Sequence, residues 1–137
     1  MSREMCINLL LSKANQKVSQ VFKTELAEYQ MTPAQLGALS CLWEKDGRSP
    51  SQIAAYLNLD TSTITGILDR LGDHQLSYRT LDPSDRRALK VCLDEKGKSL
   101  QEPMEMLSEK LNNELLASFT PDEKETLKRL LLKLINE

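Results

Sequence analysis

Four cations, Arg79, Arg86, Arg87 and Lys90, fall within twelve residues of this chain, set against two acids, Asp82 and Asp85. Guanidinium and ammonium groups at that density suit charge-assisted hydrogen bonding to anionic oxygens, phosphates above all. A second set, Ser62, Thr63 and Thr65 with Arg70, offers hydroxyls that donate and accept, and a guanidinium able to read a guanine edge through two donors. Neither set makes or breaks covalent bonds. His74 is the sole histidine, and no Gly-rich phosphate loop, nucleophile elbow, CxxC pair or HExxH signature occurs. Acid–base and metal chemistry therefore lack their parts, and the residues predict a binding protein, not an enzyme, without cofactor or metal. Arg86 and Arg87 have two uses open to them: pairing with Asp82 and Asp85 on a solvated turn, or meeting phosphates. The surrounding elements decide between these.

Those elements follow from punctuation and period. Thr32-Pro33-Ala34-Gln35, Ser49-Pro50-Ser51-Gln52 and Thr120-Pro121-Asp122-Glu123 each set a hydroxyl at an N-cap, proline at the first helical position and Gln or Glu at the third. Hydroxyl and Gln or Glu satisfy two orphan N–H groups reciprocally, and proline has no N–H to lose there. Helices therefore start near 33, 50 and 121. Ile7, Leu10, Leu11, Ala14, Val18, Val21, Phe22, Leu26 and Tyr29 recur at three and four, predicting an amphipathic helix over roughly 5–29 whose stripe packs in the core or between subunits. Asp60 or Thr61 can cap a helix over 60–74, with Ile64, Ile67, Leu68 and Leu71 on one side. Its other side carries Ser62, Thr63, Thr65, Gly66, Asp69 and Arg70.

From Leu76 the period drops to two. Leu76, Tyr78 and Thr80, then Leu89, Val91 and Leu93, predict two strands, joined by Asp82-Pro83-Ser84-Asp85 as a type I turn. Asp94 is read as the cap of a helix running to about Ser118, with Met104, Leu107, Leu111, Leu115 and Leu116 inward. The last helix is read as burying Leu127, Leu130, Leu131, Leu134 and Ile135. Trp43, Tyr29 and Tyr56 read as packing residues, Cys41 and Cys92 as buried inert thiols, and His74 as a polar helix end. Three cysteines far apart argue against a disulfide framework.

A length of 137 residues, 40% hydrophobic and 28% charged, suits one soluble domain. No apolar run approaches the roughly 20 residues of a membrane-spanning helix. The N-terminus also lacks a signal-peptide pattern, so the expectation is a cytoplasmic protein without membrane contact. Net charge is −2, yet residues 61–100 lean basic, which concentrates positive charge in the hairpin. The element order is a long helix, three shorter ones, a two-stranded hairpin and two more helices. Helices near 51–57 and 61–74, joined by Asn58-Leu59-Asp60, predict a helix-turn-helix with the hairpin as its wing. The fold class is mainly α with a small β-hairpin wing. Such a layout can lay one helix in the major groove of double-stranded DNA while arginines of the wing reach phosphates or the minor groove.

At these residues the chain resembles a family. DPSDRRALKVCLDEKG is similar to the wing of MarR-family transcription regulators, whose pattern runs approximately D-P-x-D-R-R-x-x-x-V-x-L-T-x-x-G, and STITGILDRL resembles their recognition helix. The TPAQ start of the second helix and the helix order extend the resemblance over nearly the whole chain. It implies one domain over 1–137, with a winged helix-turn-helix over approximately 30–100 and dimerisation helices over 1–29 and 101–137. It further implies a homodimer on a palindromic operator, repression of transcription, and release by a small-molecule effector. Residue by residue, Arg87 is implied at the minor groove and Arg86 near phosphates, with Asp85 bracing the wing. Ser62, Thr63, Thr65 and Arg70 match positions that touch bases or phosphates, and Arg79 is implied to face the DNA backbone. Cys6 stands near where peroxide-sensing members carry a reactive thiol, which gives thiol sensing as an alternative. A winged-helix module for protein partners is a second alternative.

Three positions depart from the pattern. Asp94 replaces threonine but caps equally well. Gln75 replaces a helix-ending glycine; a left-handed non-glycine residue there would cost about 1 kcal/mol, which leaves a differently shaped turn open. Gly66 replaces a larger exposed side chain, so base preference does not carry over.

Overall fold

All three capped helices begin where their sequence boxes place them. In a computed structural model that describes residues 6–137, the side chains of Asp85, Arg86 and Arg87 excepted, the Thr32, Ser49 and Thr120 hydroxyls accept from the backbone N–H of Gln35, Gln52 and Glu123. The Gln or Glu side chains answer by accepting from the cap residues' own N–H groups. These boxes start α2 (Pro33–Glu44), α3 (Pro50–Leu57) and α7 (Pro121–Asn136). Around them the described residues add α1 (Ile7–Leu26), α4 (Thr61–Asp73), β1 (Ser77–Asp82), β2 (Asp85–Leu93), α5 (Glu95–Ser99) and α6 (Gln101–Leu115). The chain divides into two compact units, Met1–Met104 and Glu105–Glu137.

The first unit holds the helix-turn-helix and the hairpin around one core. Leu26, Leu39, Leu42, Ile53, Ile64, Leu71 and Val91 are fully buried in it. Asn58, left-handed at φ 56°, ends α3, and the Leu59 N–H returns to the Ala54 carbonyl at 2.9 Å to close the turn before α4. Strands β1 and β2 pair antiparallel from Ser77↔Leu93 to Leu81↔Leu89, with an irregularity before Asp82↔Asp85. A short third stretch joins them. Arg48 bridges Val91, and the Asp46 carboxylate accepts from the Gly47 and Leu93 N–H groups at 2.9 Å each, which pins the hairpin base to the α2–α3 loop.

Gln75 is left-handed at φ 61°, so the turn keeps the conformation that glycine favours and is not reshaped. Trp43 packs and donates to the Gly97 carbonyl at 2.9 Å, and His74 caps α4 at its C-terminal end. Cys41 is buried and Cys92 half-buried.

Several expectations are corrected. Regular α-helix in the first element stops at Leu26 and tightens to a 3-10 turn over Ala27–Tyr29, because Gln30 turns left-handed and Met31 returns its N–H to Leu26. The predicted start near 5 lies outside the described residues. The helix expected over 94–118 is two helices broken at Leu100. The break sets Pro103 in the first turn of α6, where its missing N–H costs no intrahelical bond. Asp94 is the N-cap of α5 by position, yet its side chain makes no cap bond; its N–H instead donates to the Leu76 carbonyl at 3.0 Å. Period-two burial holds only in part: at the hairpin base Ser77 is buried and Tyr78, paired with Cys92 on the other face, is exposed, while toward the tip Leu81 and Leu89 are exposed because a two-stranded hairpin projects beyond the core that buries Leu76, Val91 and Leu93. Tyr29 and Tyr56 are exposed as well. In the second unit α7 buries no residue: Leu130, Leu131, Leu134 and Ile135 are all exposed and Leu127 is half-buried, because a single chain supplies nothing to cover that stripe. The α1 stripe behaves likewise, with Ile7, Leu10, Leu11 and Val18 exposed.

Candidate nucleic-acid interface

Helix α4 separates two chemistries by its period. Ile64, Leu68 and Leu71 are buried, whereas Thr61, Ser62, Thr63, Thr65, Gly66, Asp69 and Arg70 are exposed on the far side. A methyl group added at Gly66 would meet nothing within 4 Å, so that face is open and shallow. Small side chains here let the helix approach another surface closely.

Asp60 organises the start of this face. Its Oδ1 accepts from the Thr63 N–H at 2.7 Å and from the Ser62 hydroxyl at 2.8 Å. These bonds, that from the Thr63 backbone first, favour the ionised carboxylate and hold its pKa below the usual range. Ser62 therefore has its proton committed and presents lone pairs outward. The Thr65 hydroxyl donates back to the Thr61 carbonyl at 2.8 Å and is likewise left as an acceptor toward an outside donor such as a base amino group. Arg70 extends from the exposed side in the last turn.

Arg79 reaches from β1 to α4. Its Nη2 donates to Asp69 Oδ1 at 2.8 Å and to the Thr65 carbonyl at 3.4 Å. The guanidinium that the sequence reading turns toward a DNA backbone is thus bound to α4. Beneath it lies an open cleft of about 450 Å³ between α4 and β1, lined by Leu68, Gly72, Ser77 and Tyr78 among others.

At the wing tip, Asp82 Oδ1 accepts from the Ser84 N–H at 2.9 Å and the Ser84 hydroxyl at 2.7 Å, bonds that lower its pKa. Lys90 Nζ lies 3.9 Å from the other oxygen of Asp82. Asp82 thus braces the turn from its first position. The roles read for the side chains of Asp85, Arg86 and Arg87 lie outside the described residues, and only their backbone, in β2, is placed. Sequence reading missed Asp69 and Asp46 as partners. Asp69 had a signal in its place on the polar face of α4, but nothing periodic connects it to Arg79 ten residues on.

The cysteines sit apart from this surface. Cys6 is the exposed N-cap residue of α1 and makes no side-chain cap bond. Cys41 is buried, which raises its thiol pKa, and its Sγ accepts from Arg48 Nη1 at 3.2 Å; Arg48 also lies 5.5 Å from the Tyr56 ring. Among the described residues no cluster of His, Cys, Asp or Glu could hold a metal ion, and no helix is long and apolar enough to cross a membrane.

With this geometry in hand, comparison with known proteins is informative. Residues 31–89 match the sequence model described as the MarR family. The HTH-type transcriptional repressor NicR of Pseudomonas putida is 29% identical over 93% of this chain and 80% of its own length. The crystal structure of a probable transcriptional regulator from Pseudomonas aeruginosa is 32% identical, covers 94% of this chain and 96% of its own, and superposes with a TM-score of 0.87. A mutant MarR from E. coli, solved in complex with operator DNA, is 28% identical over 93% of this chain and 92% of its own, at a TM-score of 0.85. The first is thus named as a transcriptional repressor, the second as a probable transcriptional regulator, and the third holds operator DNA; none is named as an enzyme.

Proposed function

This chain belongs to the MarR family of winged-helix DNA-binding transcriptional regulators, and on that premise we propose that it is a repressor that binds a palindromic operator as a homodimer in the cytoplasm. The observation that carries this reading is the open face of α4, where Ser62, Thr63, Thr65 and Arg70 lie exposed beside a basic hairpin. Two such faces, related by a two-fold axis, would enter successive major grooves about one helical turn apart. In the proposed roles Ser62, Thr63, Thr65 and Arg70 meet bases or phosphates, Arg87 enters the minor groove, Arg86 holds phosphates and Asp85 braces the wing. The unpartnered stripes of α1 and α7 supply the dimer surface. A small-molecule effector that prefers the DNA-free state would release the operator by shifting the population toward that state.

Selection from a pool of random duplexes, followed by a salt titration of the retained DNA, tests the reading. The expected result is a palindrome whose affinity falls steeply with salt, because neutralised phosphates release counterions. Arg87→Ala should then weaken binding while leaving the dimer folded; unchanged affinity would remove the wing from the mechanism. Absence of any enriched sequence together with salt-independent retention would favour a winged-helix module for protein partners.

A further inference from the structure

Asp69 is a liability on a surface built for phosphates. It lies on the exposed face of α4 next to Arg70, where a free carboxylate would repel a DNA backbone. Here it is not free. One nitrogen of Arg79 donates to Asp69 Oδ1 at 2.8 Å and to the Thr65 carbonyl at 3.4 Å, so a single guanidinium from β1 grips two points one turn apart on α4. The Arg79 and Asp69 side chains are 38% and 55% exposed, and an ion pair so exposed to solvent adds little to folding stability.

The use of the bridge lies in geometry. Between α4 and β1 the chain makes only a tight left-handed turn at Gln75, closed by the Leu76 N–H on the Leu71 carbonyl at 2.9 Å. Beyond that turn α4 and β1 meet at the buried Leu68, Leu71 and Ser77, and on their outer side an open cleft of about 450 Å³ runs along the junction, where the bridge ties one element to the other.

We infer that Asp69 and Arg79 form a positioning pair for DNA recognition, fixing the angle between the recognition helix and the wing so that both meet one site together. Arg79 then serves the operator through α4, without holding a phosphate itself. The inference rests on the DNA-binding reading above and adds Asp69 to the residues that determine specificity.

The test measures affinity across a range of salt for the duplex selected from the random pool and for a shuffled duplex of equal length. Native protein is compared with Asp69→Asn, with Arg79→Gln, and with the exchange Asp69→Arg plus Arg79→Asp. Asp69→Asn should weaken binding to the selected duplex roughly 5- to 10-fold, the scale of coupling between contacting residues. It should bind the shuffled duplex as tightly as native or more so, because one negative charge has gone. The exchange should recover most of the lost discrimination, and unchanged thermal midpoints would show that each variant is folded. Two results would overturn the inference. One is Asp69→Asn binding the selected duplex as tightly as native. The other is Arg79→Gln weakening both duplexes alike, with the salt slope lower by about one phosphate's share, which would make Arg79 a direct contact. If the native protein itself binds no duplex in a salt-dependent way, the DNA reading and the pair fall together; a native protein that binds beside variants that discriminate equally well removes the pair alone.

Discussion

Asp60 holds α4 by its charge as well as by its cap. The Thr63 N–H and the Ser62 hydroxyl both donate to its carboxylate, so folding favours the ionised form and lowers the pKa. The folded chain therefore binds this proton more weakly than the unfolded one does. The associated stability is fully present above the unfolded value, roughly pH 4, and is lost as pH falls through the depressed folded value. Asparagine keeps an oxygen at the cap without titrating. Asp60→Asn should cost stability near neutral pH, and its deficit relative to native should shrink in acid. Thermal midpoints of both proteins from about pH 7 down to pH 2 would check this, and a constant difference would deny Asp60 its role in acid unfolding. Comparing the two proteins also cancels Asp82, whose pKa is lowered in the same direction by Ser84. At this scale the sequence discloses residue types and period but not partners. Ser62, Thr63 and Thr65 were legible as a hydroxyl face; that Ser62 and Thr65 spend their protons inside the helix was not, since several rotamers were open to each.

Elements were legible wherever a local rule set them. The boxes at Thr32, Ser49 and Thr120 depend on four consecutive residues, and so they could be read without the fold. Burial depends on what lies opposite, which is why the hairpin was correctly placed while the burial of its alternating residues Tyr78, Thr80 and Leu89 was not. The split between α5 and α6 had a local signal in Pro103, masked by an apolar period that runs on through Met104 and Leu107. Tertiary packing also enters through Gly97, which is buried in α5. A Cβ built there would lie 2.1 Å from the Leu76 carbonyl oxygen, while the Gly97 carbonyl accepts from Trp43. Gly97→Ala would gain about 1 kcal/mol of helix propensity, but the atom it strikes is backbone and has no rotamer by which to withdraw. The overpacking, toward about 3 kcal/mol against rigid backbone, should outweigh that gain and leave a net loss of about 2 kcal/mol. A lowered urea midpoint at unchanged slope would show it, whereas a midpoint equal to native would mean that α5 shifts freely on the hairpin base.

For the molecule as a whole, the unanswered need is cover for its apolar stripes. The pattern of α7 announces that Leu127, Leu130, Leu131, Leu134 and Ile135 must be buried but not against what, and one chain leaves Leu130, Leu131, Leu134 and Ile135 exposed, with Ile135 at 70%. A helix of 16 residues with no buried residue is marginal in water by itself, because helical stability in proteins comes mostly from packing of an amphipathic face. Contiguous exposed apolar surface of this kind marks an association site, and the proposed homodimer supplies the partner. Leu131 and Leu134 are 37% and 52% exposed, so covering what remains contributes roughly 1 kcal/mol per side chain, and a two-fold interface holds both copies of each. Leu131→Ala with Leu134→Ala should therefore weaken the dimer by about 4 kcal/mol, raising its Kd roughly a thousandfold. Sedimentation equilibrium at micromolar concentration should then find monomers for the double variant and the proposed dimer for the native chain. The consequence for DNA follows from charge. With a net charge of −2, the chain must approach phosphates through its local basic surface, and a monomer brings one such surface where a dimer brings two. The double variant should accordingly lose affinity for the palindrome and show about half the native salt slope. An intact dimer at low concentration would place the interface away from α7 and leave the stripe to another partner.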